Sequence, residues 1–277
     1  MGQDQSILLD NPVWNALATT HASFAEGDEL AKRYPVDVAP FAATRDQSPD
    51  SYRSLARLLG PEGTAAIPLA TMPVLPDGWT VVRKIDSAQM VWNTQSPPPF
   101  EQNFEELKPS RVDEMLALVE LTKPGPFFKR TPELGSYLGI REAGQLVAMA
   151  GERLKPYGYT EISAVCTHPD YRGHGFASSL VSILIQRIMK RNEIPFLHVR
   201  RENVDAIRVY EKLGFKTRRD INIAVLKPGS WIDRQAQHAN RRGPVRGASV
   251  DETLARQGGR RSPSYRFKLP GQFTFAA

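Results

Sequence analysis

Arg172-Gly173-His174-Gly175-Phe176-Ala177 stands at the head of a strongly apolar stretch, Phe176 to Arg191. A helix beginning there offers unpaired backbone N–H groups and partial positive charge at its first turn. Two glycines just ahead of it remove side chains, so that an anion such as a pyrophosphate can approach the backbone. The spacing is neither the dinucleotide fingerprint nor a P-loop, because no Lys-Ser/Thr follows. A plain glycine turn between a strand and a helix fits the same residues. Cys166, the only cysteine, lies shortly upstream. A nucleophilic cysteine needs a positioned base and an activated thiolate. The sequence singles out no partner for Cys166, which reads as a buried strand residue.

The wider segment His168-Pro169-Asp170-Tyr171-Arg172-Gly173-His174-Gly175-Phe176-Ala177 resembles the acetyl-CoA signature of GNAT acetyltransferases, Arg/Gln-x-x-Gly-x-Gly/Ala after a strand. Downstream, Asn203 to Phe215 resembles the second signature of that family. The resemblance covers about residues 101 to 228 and is strongest from Glu161 to Phe215. It implies the GNAT fold, a mixed α/β (α+β) domain with a mostly antiparallel central sheet. It also implies acetyl-CoA as co-substrate and an amine acceptor. With Cys166 read as a buried strand residue, transfer is direct, without an acyl-enzyme, and no metal is expected. The acceptor itself is left open.

By the same resemblance, the strand before the turn splays from its neighbour. Its free edge at Val165, Cys166 and Thr167 then receives the pantetheine arm as an added strand would. Arg172, Gly173, His174, Gly175, Phe176, Ala177 and Ser178 hold the pyrophosphate through backbone N–H groups. Asn203 lies near the pantetheine, and its place before Val204 equally suits a helix N-cap. Tyr210 is implied as the general acid for the leaving thiolate, or else as a tyrosine packing its ring beneath a helix. Glu161 is the candidate base, since an ammonium must lose a proton before it can attack; an ordinary exposed strand carboxylate is the other reading. On strict alternation, Glu161, Ser163 and Val165 share one strand face, and Ile162, Ala164 and Cys166 the other. His168 and His198 are alternatives as base, with His198 also suiting a satisfied core position. A non-catalytic acyl-CoA-binding module would keep the turn while Glu161 and Tyr210 did no chemistry.

Periodicity supplies the elements that must carry these groups. Arg111 to Leu121 has helical spacing, with a second short helix around Thr131 to Leu138. Tyr137 to Arg141 and Gln145 to Leu154 form a hairpin across Glu142-Ala143-Gly144. Strands follow at Thr160–Thr167, Phe196–Val199 and Asn222–Leu226, with a helix at Val204–Leu213 ending on Gly214. A strand at Phe104–Leu107 precedes them.

Three parts are expected. Residues 1–100 form a smaller α/β domain with a packing or substrate-shaping role, including a helix at Asp50–Leu59 and strands at Thr64–Ala70 and Thr80–Ile85. Residues 101–228 form the acetyltransferase domain. Residues 229–277 form a basic tail without apolar periodicity, expected to be disordered. The stretch Val91 to Pro99, with three consecutive prolines, reads as a stiff linker. From Lys227 onward, ten Lys and Arg face three Asp and Glu, a charge of +7 in a chain of +6 overall, so the preceding residues sum to −1. The basic character therefore belongs to the tail and argues against a nucleic-acid groove in the fold. A tail acting as a nucleic-acid or membrane-surface arm is the remaining rival. A single cysteine excludes an internal disulfide and fits a cytoplasmic protein. No apolar run is long enough for a membrane span.

Overall fold

The computed structural model describes residues 5–94, 96–100 and 102–229. The expectation for the basic tail lies, but for Gly229, outside the described residues.

The chain opens with a 3-10 turn, Gln5–Asp10, and a short helix α1 (Pro12–Leu17). Asn11 caps α1 by accepting the Trp14 N–H at 3.3 Å. Strands β1 (Glu26–Gly27), β2 (Ala31–Arg33) and β3 (Ala42–Thr44) then pair antiparallel into a small sheet. Helix α2 (Pro49–Leu59) starts at Ser48, whose hydroxyl accepts the Ser51 N–H. Its Tyr52, Leu55 and Leu59 pack with Ala31 and Ala42 of that sheet.

The main sheet has eight strands. They are β4 (Ala65–Leu69), β5 (Trp79–Trp92), β6 (Glu105–Glu106), β7 (Tyr137–Glu142), β8 (Gln145–Glu152), β9 (Tyr159–Thr167), β10 (Ile194–Arg200) and β11 (Phe215–Pro228). Their order is β4-β11-β5-β10-β9-β8-β7-β6. Every pair is antiparallel except β9 with β10. This is the mixed, mostly antiparallel sheet that the sequence implies. Helix α4 (Phe176–Lys190) buries Leu180, Ile183, Leu184 and Ile188 against Leu138, Ala150 and Ile162. Helix α3 (Val112–Thr122) packs with Tyr137, Met149 and Cys166, and so covers the opposite face. Helix α5 (Val204–Lys212) lies on the α4 side, with Ala206, Ile207 and Tyr210 against that core.

The division expected at residue 100 is not a division of this sheet. β5 lies between β10 and β11, and its Ala88, Met90 and Trp92 belong to the same core as α4. β5 and β11 are each 14 residues long, far beyond the segments read at Thr80–Ile85 and Asn222–Leu226. They pair along their whole length, from Trp92 opposite Phe215 to Trp79 opposite Pro228. That ladder makes a strand of the polar stretch Lys216 to Asp220 without any apolar alternation. The helix expected over Thr131–Leu138 is a single 3-10 turn, Thr131–Leu134, because Tyr137 and its successors pair with β8 instead. Among the described residues, no helix is long and apolar enough to cross a membrane.

Candidate functional site

The parallel pairing of β9 with β10 is brief. It joins Tyr159 to Ile194, Thr160 to Pro195 and Glu161 to Phe196, and stops there. Beyond it, β9 stays with β8 as far as Thr167, while β10 stays with β5 as far as Arg200. The two halves of the sheet therefore part at Glu161 and form a wedge. Its β9 side carries Val165, Cys166 and Thr167 on an edge without a strand partner from β10.

That edge is not regular. Two residues of β9 stand opposite one of β8 between the Met149–Cys166 and Gly151–Ser163 pairs. Ala164, at φ 53°, is in the left-handed region there. Such a bulge leaves the extra residue out of the ladder and switches the alternation of the strand. Val165 consequently joins Ile162 in the core beneath α4, while Cys166 packs on the α3 side. The strict alternation that grouped Glu161 with Val165 is corrected by this one inserted residue.

At the mouth of the wedge lies the glycine turn. Gly173 (φ 84°) and Gly175 (φ 77°) are both left-handed, and a Cβ built on either meets no atom within 4 Å. The space above them is open. Gly175 sits at the N-cap position of the 15-residue α4, and no side chain caps that end. The first bond of the helix runs from the Ser179 N–H to the Gly175 carbonyl at 3.0 Å. Among the described residues, the N–H groups from Gly173 to Ser178 thus have no backbone acceptor. The carbonyls of Tyr171 and Arg172 lie 3.1 Å from His174 Nδ1. Carbonyls only accept, so His174 carries its proton on Nδ1 and donates it to these oxygens. Its ring stacks on Phe176. Beside the turn, Pro99, Phe100 and Gln102 face Ser178 and Ser182 of α4 across a depression of about 210 Å³. The segment is tied there by a Gln186 side-chain bond to the Pro98 carbonyl at 3.1 Å.

Helix α5 follows β10 in the chain and packs against β11. Asn203 caps it, accepting the Ala206 N–H at 3.2 Å. Tyr210 is half-buried, its ring edge-on to Phe215. Burial, and then the nearby Cys166 thiol, push its hydroxyl above the ordinary tyrosine range. Cys166 is itself pushed up to about 11 by burial, against weaker hydrogen bonds from Thr122 and Met149. Both groups therefore keep their protons near neutrality. A thiol in that state is no nucleophile.

Glu161 is placed differently from the expectation. It is fully buried at the vertex of the wedge rather than on an exposed strand face. Oε1 accepts from Arg153 Nη2 at 2.8 Å and from His198 Nδ1 at 2.7 Å. Oε2 accepts from Arg153 Nε at 2.9 Å and from the Leu154 N–H at 3.2 Å. A carboxylate offers about four acceptor sites, and all are taken. Burial alone would raise this carboxyl, but the Arg153 guanidinium, by charge and by hydrogen bond, and then His198, hold it well below the usual carboxylate range. Such a group neither seeks a proton near neutrality nor has a lone pair free to take one.

The donors to Glu161 were not legible. Arg153 stands eight residues before it on the chain and His198 lies on another strand. His198 has a definite tautomer. Gln89 Nε2 lies 2.8 Å from the Leu9 carbonyl and 3.1 Å from His198 Nε2. An amide nitrogen only donates, so Nε2 accepts and Nδ1 carries the proton given to Glu161. His168, the other alternative base, accepts the Asp170 N–H at 3.3 Å in the turn itself. Among the described residues, no three His, Cys, Asp or Glu side chains gather as metal ligands.

Comparison with known proteins bears on this geometry. Residues 137–223 match the family described as FR47-like protein. A solved structure described as a putative acetyltransferase from the GNAT family, from Novosphingobium aromaticivorans, is 35% identical with a TM-score of 0.74. That similarity covers 80% of this chain and 99% of that one. A GCN5-related N-acetyltransferase from Kribbella flavida shares the fold at 16% identity and a TM-score of 0.57, over 79% of this chain and 95% of that one. Among curated relatives, an acetyltransferase of Yersinia pestis is 46% identical over 52 residues, 18% of this chain and 36% of that protein. The N-alpha-acetyltransferase RimI of Mycobacterium tuberculosis is 32% identical over 84 residues, 29% of this chain and 51% of that protein. The chain thus spans about a third to a half of the length of the curated relatives it matches.

Proposed function

The chain belongs to the GNAT family of acetyltransferases, and from that premise we propose that it moves an acetyl group from acetyl-CoA directly to an amine in the wedge between β9 and β10. The observation that carries this reading is the uncapped N-terminus of α4, with two left-handed glycines and open space above them, at the mouth of a split sheet. Free N–H groups from Gly173 to Ser178 suit a pyrophosphate, with Arg172 beside them. The unpaired edge at Val165, Cys166 and Thr167 suits the amides of pantetheine, which add to it as a strand would. Asn203 holds α5 in place through its cap.

The chemistry then runs as follows. The acceptor nitrogen attacks the thioester carbonyl; the new C–N bond forms and the C–S bond breaks. The leaving CoA thiolate needs a donor, and Tyr210, which keeps its proton near neutrality, is the candidate. A thiol titrates near 8.5 and a tyrosine near 10 or above. Tyr210 therefore stabilises the thiolate chiefly by hydrogen bonding, because outright transfer of its proton is uphill. With Glu161 saturated, the amine proton leaves through water. That favours acceptors already neutral in part near pH 8, such as an α-amino group with a pKa of about 8, over a lysine-like amine of about 10. The similarity to an N-alpha-acetyltransferase supports the same class.

A transfer assay tests this reading. Acetyl-CoA is offered with peptides bearing a free α-amine, and with N-blocked peptides bearing only a lysine amine. Transfer to the free α-amines, lowered about 10²-fold in Tyr210→Phe, is the expected result. Acetyl-CoA binding without transfer to any amine would favour a non-catalytic binding module instead.

A further inference from the structure

We propose that Glu161 is a positioning residue that pins the vertex of the β9/β10 split, and that the N-terminal turn Gln5–Asp10 buttresses this pin through Gln89. The inference rests on the acetyl-CoA reading of the split given above and adds how the width of that cleft is set.

The backbone ladder between β9 and β10 ends with Glu161 opposite Phe196. His198 stands two residues further along β10, where the strands have begun to part. Its ring crosses the gap and replaces the lost ladder with a side-chain tie of 2.7 Å to Glu161. From the other side Arg153, just after β8, grips the same carboxylate with two parallel bonds. Bidentate pairs of this kind fix geometry as well as supply energy. Three segments of the sheet are therefore fastened to one carboxylate at the point where the wedge begins.

The fastening extends outward. Gln89 of β5 gives its amide N–H groups to His198 and to the Leu9 carbonyl, and its Oε1 accepts from Arg218 of β11 at 2.9 Å. Arg218 and Arg219 in turn reach Asp10, at 2.7 and 2.9 Å. Donors and acceptors alternate correctly along the whole chain of contacts, so neither of its buried members Gln89 and His198 can be replaced by an apolar group without stranding a buried neighbour. Tyr34 and Tyr137 are the other titratable groups around the Arg153–Glu161 pair, and burial keeps both protonated. The turn at Gln5–Asp10, more than 150 residues from Glu161 in sequence, is joined to the vertex through the Gln89 side chain.

Affinity for acetyl-CoA and the pH dependence of transfer, measured on the full chain, separate a pin from a base. Gln89→Met and Glu161→Gln are each expected to weaken acetyl-CoA binding about tenfold, while the acid limb of the kcat profile keeps its position. Asp10→Asn is expected to weaken binding by a smaller factor in the same direction. His198→Asn, which keeps a donor toward Glu161, is expected to recover much of the affinity lost in His198→Leu. Unchanged affinity in Gln89→Met overturns the proposal. So does a Glu161→Gln variant that binds normally but loses kcat together with its acid limb, because Glu161 is then the base. If Glu161→Gln does not fold, the neutral Gln89→Met variant decides alone. A parent chain that fails to bind acetyl-CoA contradicts the reading of the split itself, and does so before any variant is made.

Discussion

The glycine turn at Arg172–Gly175 and the vertex at Glu161 lie eleven residues apart on one strand-to-helix connection, yet they are made of opposite materials. The turn is backbone: exposed, left-handed at two glycines, with a row of N–H groups facing open space. The vertex is side chain: buried, charged, with every acceptor site of the carboxylate taken. A surface built to receive a ligand leaves its polar groups unpaired until the ligand arrives. A surface built to keep its shape pairs them all. The contrast separates what this cleft binds from what holds it open.

Breaking the vertex should cost the fold most. Arg153→Leu strands a buried carboxylate, and about 3–5 kcal/mol of stability should be lost in denaturant unfolding. Arg172→Ala, on the exposed turn, should stay within about 0.5 kcal/mol of the parent. Equal losses at the two sites would erase the contrast.

Acid should reveal the same asymmetry. His21 is buried against the Tyr34 hydroxyl at 2.8 Å, and burial, then the Lys155 charge, lower it to about 4 from 6.5. The unfolded chain binds that proton in this window and the folded chain does not, so stability falls as pH drops from 6.5 to 4. About 3 kcal/mol is at stake, and His21→Gln should flatten the stability–pH curve over this range. An unchanged slope would place the acid sensitivity elsewhere.

Smaller effects belong to the turn and to α5. Gly175→Ala forces an L-residue into left-handed backbone, at about 1–2 kcal/mol. It should weaken acetyl-CoA binding more than this modest loss of stability suggests, because it also adds a methyl to the open side. Asn203→Ala removes only a cap, about 1 kcal/mol by thermal unfolding. Acetyl-CoA affinity should survive it within a few-fold.

What the sequence revealed follows the same division. The turn was legible because its residues are consecutive, and a strand-to-helix change flanks them. The β7/β8 hairpin and α4 were legible from short-range periodicity. The vertex was not, because Arg153, Glu161, His198 and Gln89 come from four separate segments and no local pattern links them. The bulge at Ala164 was hidden because no glycine marks it. β5 was cut short at Ile85 because Asp86, Ser87 and Gln89 interrupt its apolar pattern. Gln89 does so because it points into the buried polar chain and is fully buried there.

The most direct test is amide hydrogen exchange on the parent chain with and without saturating acetyl-CoA. Slowed exchange is predicted at Val165 to Thr167 and at Gly173 to Ser178, with little change at Glu161 and its partners, whose bonds are already made. Unaltered exchange at both the β9 edge and the turn, in a folded chain at millimolar acetyl-CoA, would contradict the account.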